Sequence, residues 1–118
     1  MTQPEIQLYI PNDSGVAIIR IQGEVTGFAE ETLMNAYSQV DSEPIRLILL
    51  DFTGLDYMNS TGIGLLVTLL IRTQRQQQRL LACGLSDHYK QIFDLTRLNE
   101  ALAIFDTETE ALAAIGIA

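Results

Sequence analysis

Four consecutive apolar residues, Leu47-Ile48-Leu49-Leu50, constrain the fold more than any other part of this chain. The run is short, lies between Pro44 and Gly54, and is apolar on both alternations. Such a segment reads as a central strand covered on both faces, the kind found in the sheets of α/β proteins. The next stretch, DFTGLDYMNSTGIGLLVTLLIR (residues 51–72), leaves that strand through a polar turn and opens a helix at Asn59-Ser60-Thr61-Gly62. Asn and Ser suit a helix N-terminus because their oxygens accept hydrogen bonds from backbone N–H groups that the helix leaves free. Strand, loop and helix start together present two hydroxyls, Ser60 and Thr61.

The rest of the chain arranges itself around this unit. Ile6, Leu8 and Ile10 alternate with Gln7 and Tyr9, as in a half-buried strand. A turn at Pro11-Asn12-Asp13-Ser14-Gly15 leads to a second strand over residues 16–21, so the two form a hairpin. Beyond the loop between Gly23 and Gly27 the period changes, and a helix is expected from Phe28 to Val40. Ala29, Leu33, Ala36, Tyr37 and Val40 fall at helical spacing, and Asp41-Ser42-Glu43-Pro44 stops that helix. The buried strand covers residues 45–52 and the central helix runs from Ser60 to about Gln76. Leu80-Leu81-Ala82-Cys83-Gly84 is another buried strand, and Asp87 caps a short helix with Tyr89, Ile92 and Phe93 inward. Ala103-Ile104-Phe105 forms a last strand. Thr107 and Glu110 have capping-box spacing and open a final helix with Leu112 and Ile115 inward. Strands alternating with helices imply right-handed crossovers in a mostly parallel sheet, with the first strand as an antiparallel edge and about four helices. One α/β domain spanning residues 1–118 is expected.

The central helix is ambiguous in one respect. Ile63, Leu66, Val67, Leu70 and Ile71 make one stripe, taken as the core face. The opposite side then carries Thr61, Leu65, Thr68, Leu69 and Arg72. Two leucines on a side expected to meet water mean either a helix buried nearly all round or a face that binds a partner.

Composition removes several functions. Fifteen acids against seven bases leave a net charge of −8, a surface that repels nucleic acid. No apolar run approaches the roughly 20 residues of a membrane span, and the first residues carry no signal sequence, so a cytoplasmic protein is expected. The single cysteine, Cys83, excludes an intrachain disulfide. The single histidine, His88, lies beside a helix start, and no cluster has zinc spacing. Gly62-x-Gly64 lacks the rest of a dinucleotide fingerprint, and there is no P-loop. A phosphoacceptor role for Asp51 would need acidic neighbours after Ile21, where Gln22-Gly23 stands, and a lysine from the last strand, whereas the one lysine is Lys90. Neither an enzyme nor a bound cofactor or metal is expected.

The string Asp56-Tyr57-Met58-Asn59-Ser60-Thr61-Gly62-Ile63-Gly64 resembles the signature of the STAS domain, the module of sulfate transporters and anti-sigma factor antagonists. Leu50-Asp51-Phe52 fits the strand that precedes that signature, and the order of elements agrees over nearly the whole chain. The resemblance implies a stand-alone bacterial anti-sigma factor antagonist of STAS-like fold, cytoplasmic as expected above, and a monomer is the default expectation. It also implies phosphorylation of Ser60 by the partner, an anti-sigma factor with serine kinase activity, within a phosphosite loop formed by Asp56, Asn59, Thr61 and Gly62. Leu65, Thr68, Leu69 and Arg72 are then the partner-binding side of the helix. Asn59 departs from the family pattern, in which an aspartate is usual. The loss of that charge bears on how a kinase docks and leaves room for a second reading, a STAS subunit that binds its partner constitutively in a transport or signalling complex.

Overall fold

Five strands lie side by side in the order in which the chain makes them, β1 (Glu5–Tyr9), β2 (Val16–Val25), β3 (Leu47–Met58), β4 (Arg79–Cys83) and β5 (Ala103–Phe105). The structure is a computed structural model and describes residues 5–11, 14–40 and 44–116. Parts of the expected turn at 11–15 and of the helix stop at 41–44 lie outside those residues. β1 runs antiparallel to β2, and every other pair is parallel. A short 3-10 turn (Gly27–Ala29) precedes α1 (Glu30–Val40), which is followed by α2 (Ser60–Arg75), α3 (Asp87–Leu95), α4 (Leu98–Ala101) and α5 (Glu108–Ala114). The expected α/β architecture, with its antiparallel first edge, is therefore present. α4 is an addition to the four helices read from the sequence. One turn long, it follows Arg97 in left-handed conformation (φ 62°) and carries too few residues for a periodic signal.

Strand order explains where the helices go. From β2 to β5 the chain always steps to the next position in the same direction. Right-handed crossovers then place every connecting helix on one face of the sheet. Leu33 and Tyr37 of α1, Leu66 and Leu69 of α2 and Phe93 of α3 accordingly share one core with Ile19, Leu50 and Ala82. α5 follows the last strand, crosses to nothing, and packs on the other face against Val16, Ile18, Leu49, Leu81 and Cys83. Leu112 and Ile115 point inward there as expected. The run at 47–50 is thus covered on both sides: Ile48 and Leu50 face the larger core, Leu49 the smaller, and all three are 0% exposed.

Candidate functional site

β2 and β3 extend past the rest of the sheet. β4 pairs with β3 only as far as Cys83 opposite Asp51, and beyond that point β3 has β2 alone beside it. The strand was expected to end at Phe52; it reaches Met58 because β2 also continues, to Val25, and supplies the hydrogen bonds. The two strands do not advance equally. Between the pairs Arg20–Asp51 and Gln22–Gly54, and again between Gly23–Leu55 and Glu24–Tyr57, β3 spends one more residue than β2. Each is a bulge, a device that bends a strand and increases its twist. Asp56, exposed, is the surplus residue of the second bulge.

The strand end is held from two directions. Met58 N–H donates to the Tyr89 hydroxyl of α3 at 2.7 Å, and that hydroxyl donates back to Met58 O at 3.4 Å. Asn59 N–H donates to Val25 O at 3.3 Å. Asn59 then caps α2: its Oδ1 accepts from Gly62 N–H at 2.9 Å. Ser60 and Thr61 follow as the first two helical residues, both exposed. The Thr61 methyl lies beside the 3-10 turn, 3.4 Å from where a Cβ on Gly27 would stand. A hydroxyl on the first turn of a helix, beside unpaired backbone N–H groups, sits where a negative charge is tolerated.

Gly62 decides which way the helix faces. A Cβ there would lie 2.2 Å from Val25 O and 2.8 Å from Met58 Cγ, so the helix backbone is pressed against β2 at this point. With Gly62 inward, positions three, four, seven, eight and eleven further on must also be inward. They are Leu65, Leu66, Leu69, Leu70 and Thr73, all buried. This corrects the expected partner-binding side. Leu65 is 8% exposed and Leu69 0%, and both belong to the core. Conversely, Val67 and Ile71, assigned to the core from periodicity, are 38% and 44% exposed. The apolar residues run almost round the helix, so spacing alone left the phase open; the close contact at Gly62 settles it.

The outward stripe is therefore Ser60, Gly64, Val67 and Ile71, in one line from the helix start. Thr61, Thr68 and Arg72 border it on the α1 side. Thr68 is exposed and its hydroxyl donates to Gly64 O at 3.1 Å. Arg72 lies with its guanidinium 4.8 Å from the Tyr37 ring centre and its Nη1 3.3 Å from Met34 Sδ, which ties α2 to α1. An open groove of about 450 Å³ adjoins this side, lined by Gly27, Phe28, Glu30, Glu31, Met34 and Asn35. Phe28, which sequence reasoning counted only as the first residue of a helix, is 84% exposed.

The other residues weighed from sequence have structural occupations. Cys83 is buried in β4, and burial first, then the nearby Asp51 charge, pushes its thiol up to about 12. His88 is exposed with its ring edge-on to Tyr89. Lys90 Nζ donates to Asp106 Oδ1 at 2.6 Å. Among the described residues no group of three or more His, Cys, Asp or Glu is gathered to hold a metal ion, and no helix is long and apolar enough to cross a membrane.

Comparison with known proteins gives a consistent picture. The STAS domain family profile matches residues 7–111. The anti-sigma-B factor antagonist of Listeria monocytogenes is 27% identical over 92 residues, 78% of this chain and 81% of that protein. Two solved structures share the fold, each at 22% identity. The anti-sigma factor antagonist SpoIIAA in its unphosphorylated form superposes with a TM-score of 0.75 over 94% of this chain and 97% of its own. The Bacillus cell fate determinant SpoIIAA in its phosphorylated form does so with 0.73 over 94% and 99%.

Proposed function

The chain belongs to the STAS domain family, and we propose that it acts as an anti-sigma factor antagonist whose grip on its partner is switched at Ser60. The observation that carries the proposal is the placement of the Ser60 hydroxyl. It is exposed on the first turn of a helix, at the head of the displayed stripe Gly64, Val67 and Ile71. The relatives named anti-sigma-B factor antagonist and the phosphorylated SpoIIAA support both halves of the reading.

The partner in this reading is an anti-sigma factor that is also a serine kinase. A bond forms between Ser60 Oγ and the γ-phosphorus of ATP, the bond to the ADP oxygen breaks, and the hydroxyl proton leaves to a base on the kinase. The product adds about −1.5 to −2 charges and three acceptor oxygens. The helix N-terminus accommodates them, so this chain keeps its fold. The contact does not. A kinase docked for transfer must hold nucleotide phosphates opposite Ser60, and a phosphate there meets like charge in a site drained of water. Such a mismatch costs several kcal/mol, and each 1.4 kcal/mol or so is tenfold in affinity. Asn59 keeps the cap that an aspartate would make, without placing a carboxylate next to the new phosphate.

The test is incubation with the anti-sigma factor kinase and ATP, followed by mass spectrometry and by binding measurements on Ser60→Ala and Ser60→Asp. One phosphate on Ser60, binding retained by the alanine variant and lost by the aspartate variant, is the expected result. No phosphate on Ser60 and indifference to Ser60→Asp overturn the switch. That outcome supports the second reading, a constitutive STAS subunit, which the uncharged Asn59 favours because a kinase loses an acidic contact there.

A further inference from the structure

Resting on the reading above, we infer that Phe28 is the anchor of the partner interface, and that the partner offers it an apolar socket rimmed by Lys or Arg side chains. Phe28 is the most exposed large apolar residue among those described, at 84%. Its backbone is nevertheless held. Phe28 N–H donates to Thr26 Oγ1 at 3.3 Å, Ala29 N–H donates to Thr26 O at 3.0 Å, and Ala29 is 0% exposed. A rigid turn that displays a large ring loses little freedom when the ring is buried, which is the property of an aromatic hot spot. The location is the Ser60 surface itself, since the turn lies beside the start of α2, where a Cβ added at Gly27 would come within 3.4 Å of the Thr61 methyl.

Charge identifies the occupant. Residues 22–37 and 53–71, which build the turn, the start of α1, the loop and the outer part of α2, hold four acids and no base. The acids are Glu24, Glu30, Glu31 and Asp56, with Glu30 and Glu31 lining the groove beside Phe28. The one base that borders this surface, Arg72, is held inward, stacked on Tyr37 with its Nη1 against Met34 of the groove, and it leaves the acids in excess. An aromatic knob inside an acidic rim matches an apolar hole inside a basic one, and the charges then speed and orient docking. Ser60 stands to one side of this rim, so the anchor and the switch are separate parts of one contact.

The experiment measures binding to the anti-sigma factor kinase by wild type, Phe28→Ala, the double variant Glu30→Gln/Glu31→Gln and, as a control at the last residue of α3, Leu95→Ala, itself 82% exposed. Thermal melts confirm that each is folded. Phe28→Ala is expected to weaken binding about 30-fold or more. The double variant is expected to slow association about tenfold and flatten its dependence on ionic strength. Leu95→Ala is expected to bind as wild type. Binding of Phe28→Ala within about threefold of wild type overturns the inference; if Ser60→Asp still releases the partner, the proposed function stands without it. A wild-type chain that binds no anti-sigma factor overturns both.

Discussion

Across β2, β3 and β4, Ile19, Leu50 and Ala82 stand in a row under α1, α2 and α3, each 0% exposed. One residue further along, on the opposite face, the corresponding row is Arg20, Asp51 and Cys83, and α5 covers it. The first row is dry. The second is polar: Arg20 donates through Nε and Nη2 to the two Glu108 oxygens at 3.1 and 2.8 Å. Asp51 Oδ1 accepts from the Thr53 amide at 2.9 Å and the Thr53 hydroxyl at 2.6 Å. Burial alone would raise the Asp51 pKa. Hydrogen bonds from the Thr53 amide and hydroxyl and from the Cys83 thiol outweigh burial and hold it below the usual carboxylate value. The Glu108 contact keeps the Arg20 guanidinium more firmly charged than usual. The contrast teaches a division of labour. The helices that carry the Ser60 surface rest on apolar packing that pH hardly touches, whereas α5, seven residues long and too short to hold itself, adds charged contacts to a smaller apolar seat.

The largest effect that could break this contrast is expected on the dry side. Phe93 is 0% exposed and meets Phe52 edge-on at 6.4 Å. Phe93→Ala should cost about 3–5 kcal/mol by urea denaturation and loosen the Ser60 loop with the core. Gly62→Ala comes next, at about 1–3 kcal/mol, because the added methyl meets Val25 backbone that cannot easily yield. A melting temperature unchanged by Gly62→Ala would show that α2 is not seated as described.

Acid should single out the polar side. A carboxylate whose folded pKa is depressed contributes stability that is fully present above the unfolded value of about 4 and is lost as pH falls through the folded one. Exchange protection in α5, taken relative to the intrinsic amide rate at each pH, should therefore fall on acidification before protection in α2 does. Asp51→Asn should flatten that dependence, and Glu108→Gln should lower stability by about 1 kcal/mol or less. Equal loss of protection in both helices would erase the distinction. The smallest effect sharpens it. With its thiol buried and raised to about 12, Cys83 should resist iodoacetamide at pH 8 in the native protein and react once unfolded. Alkylation faster than global unfolding would report α5 lifting by itself.

Much of this was legible in residue order. The strand at 47–50, the antiparallel edge, the Thr107 cap, whose Oγ1 accepts from Glu110 N–H at 3.0 Å, and the helix start at Ser60 all follow from local pattern. Three things were not. The extension of β3 to Met58 depends on β2 running alongside, a pairing that no window of sequence contains. The outward face of α2 depends on its rotation about its axis, which an almost uniformly apolar helix does not declare. Gly62 did carry the signal: counting three and four residues on from it selects Leu65, Leu66, Leu69 and Leu70 as buried, and leaves Val67 and Ile71 outside. Phe28 was hidden by assigning it to an amphipathic helix whose regular part begins two residues later, at Glu30.

The two surplus residues of β3 have a consequence for how this scaffold tolerates length change. They meter the height of the switch loop above the sheet, like shims under a bearing. Removing either one would draw Asn59 back along the strand and exchange the sides on which Tyr57 and Met58 emerge, pulling Met58 from its buried seat and Asn59 out of reach of Val25. Substitution on the displayed ridge can retune recognition freely, but a single deletion upstream of Ser60 resets the whole platform.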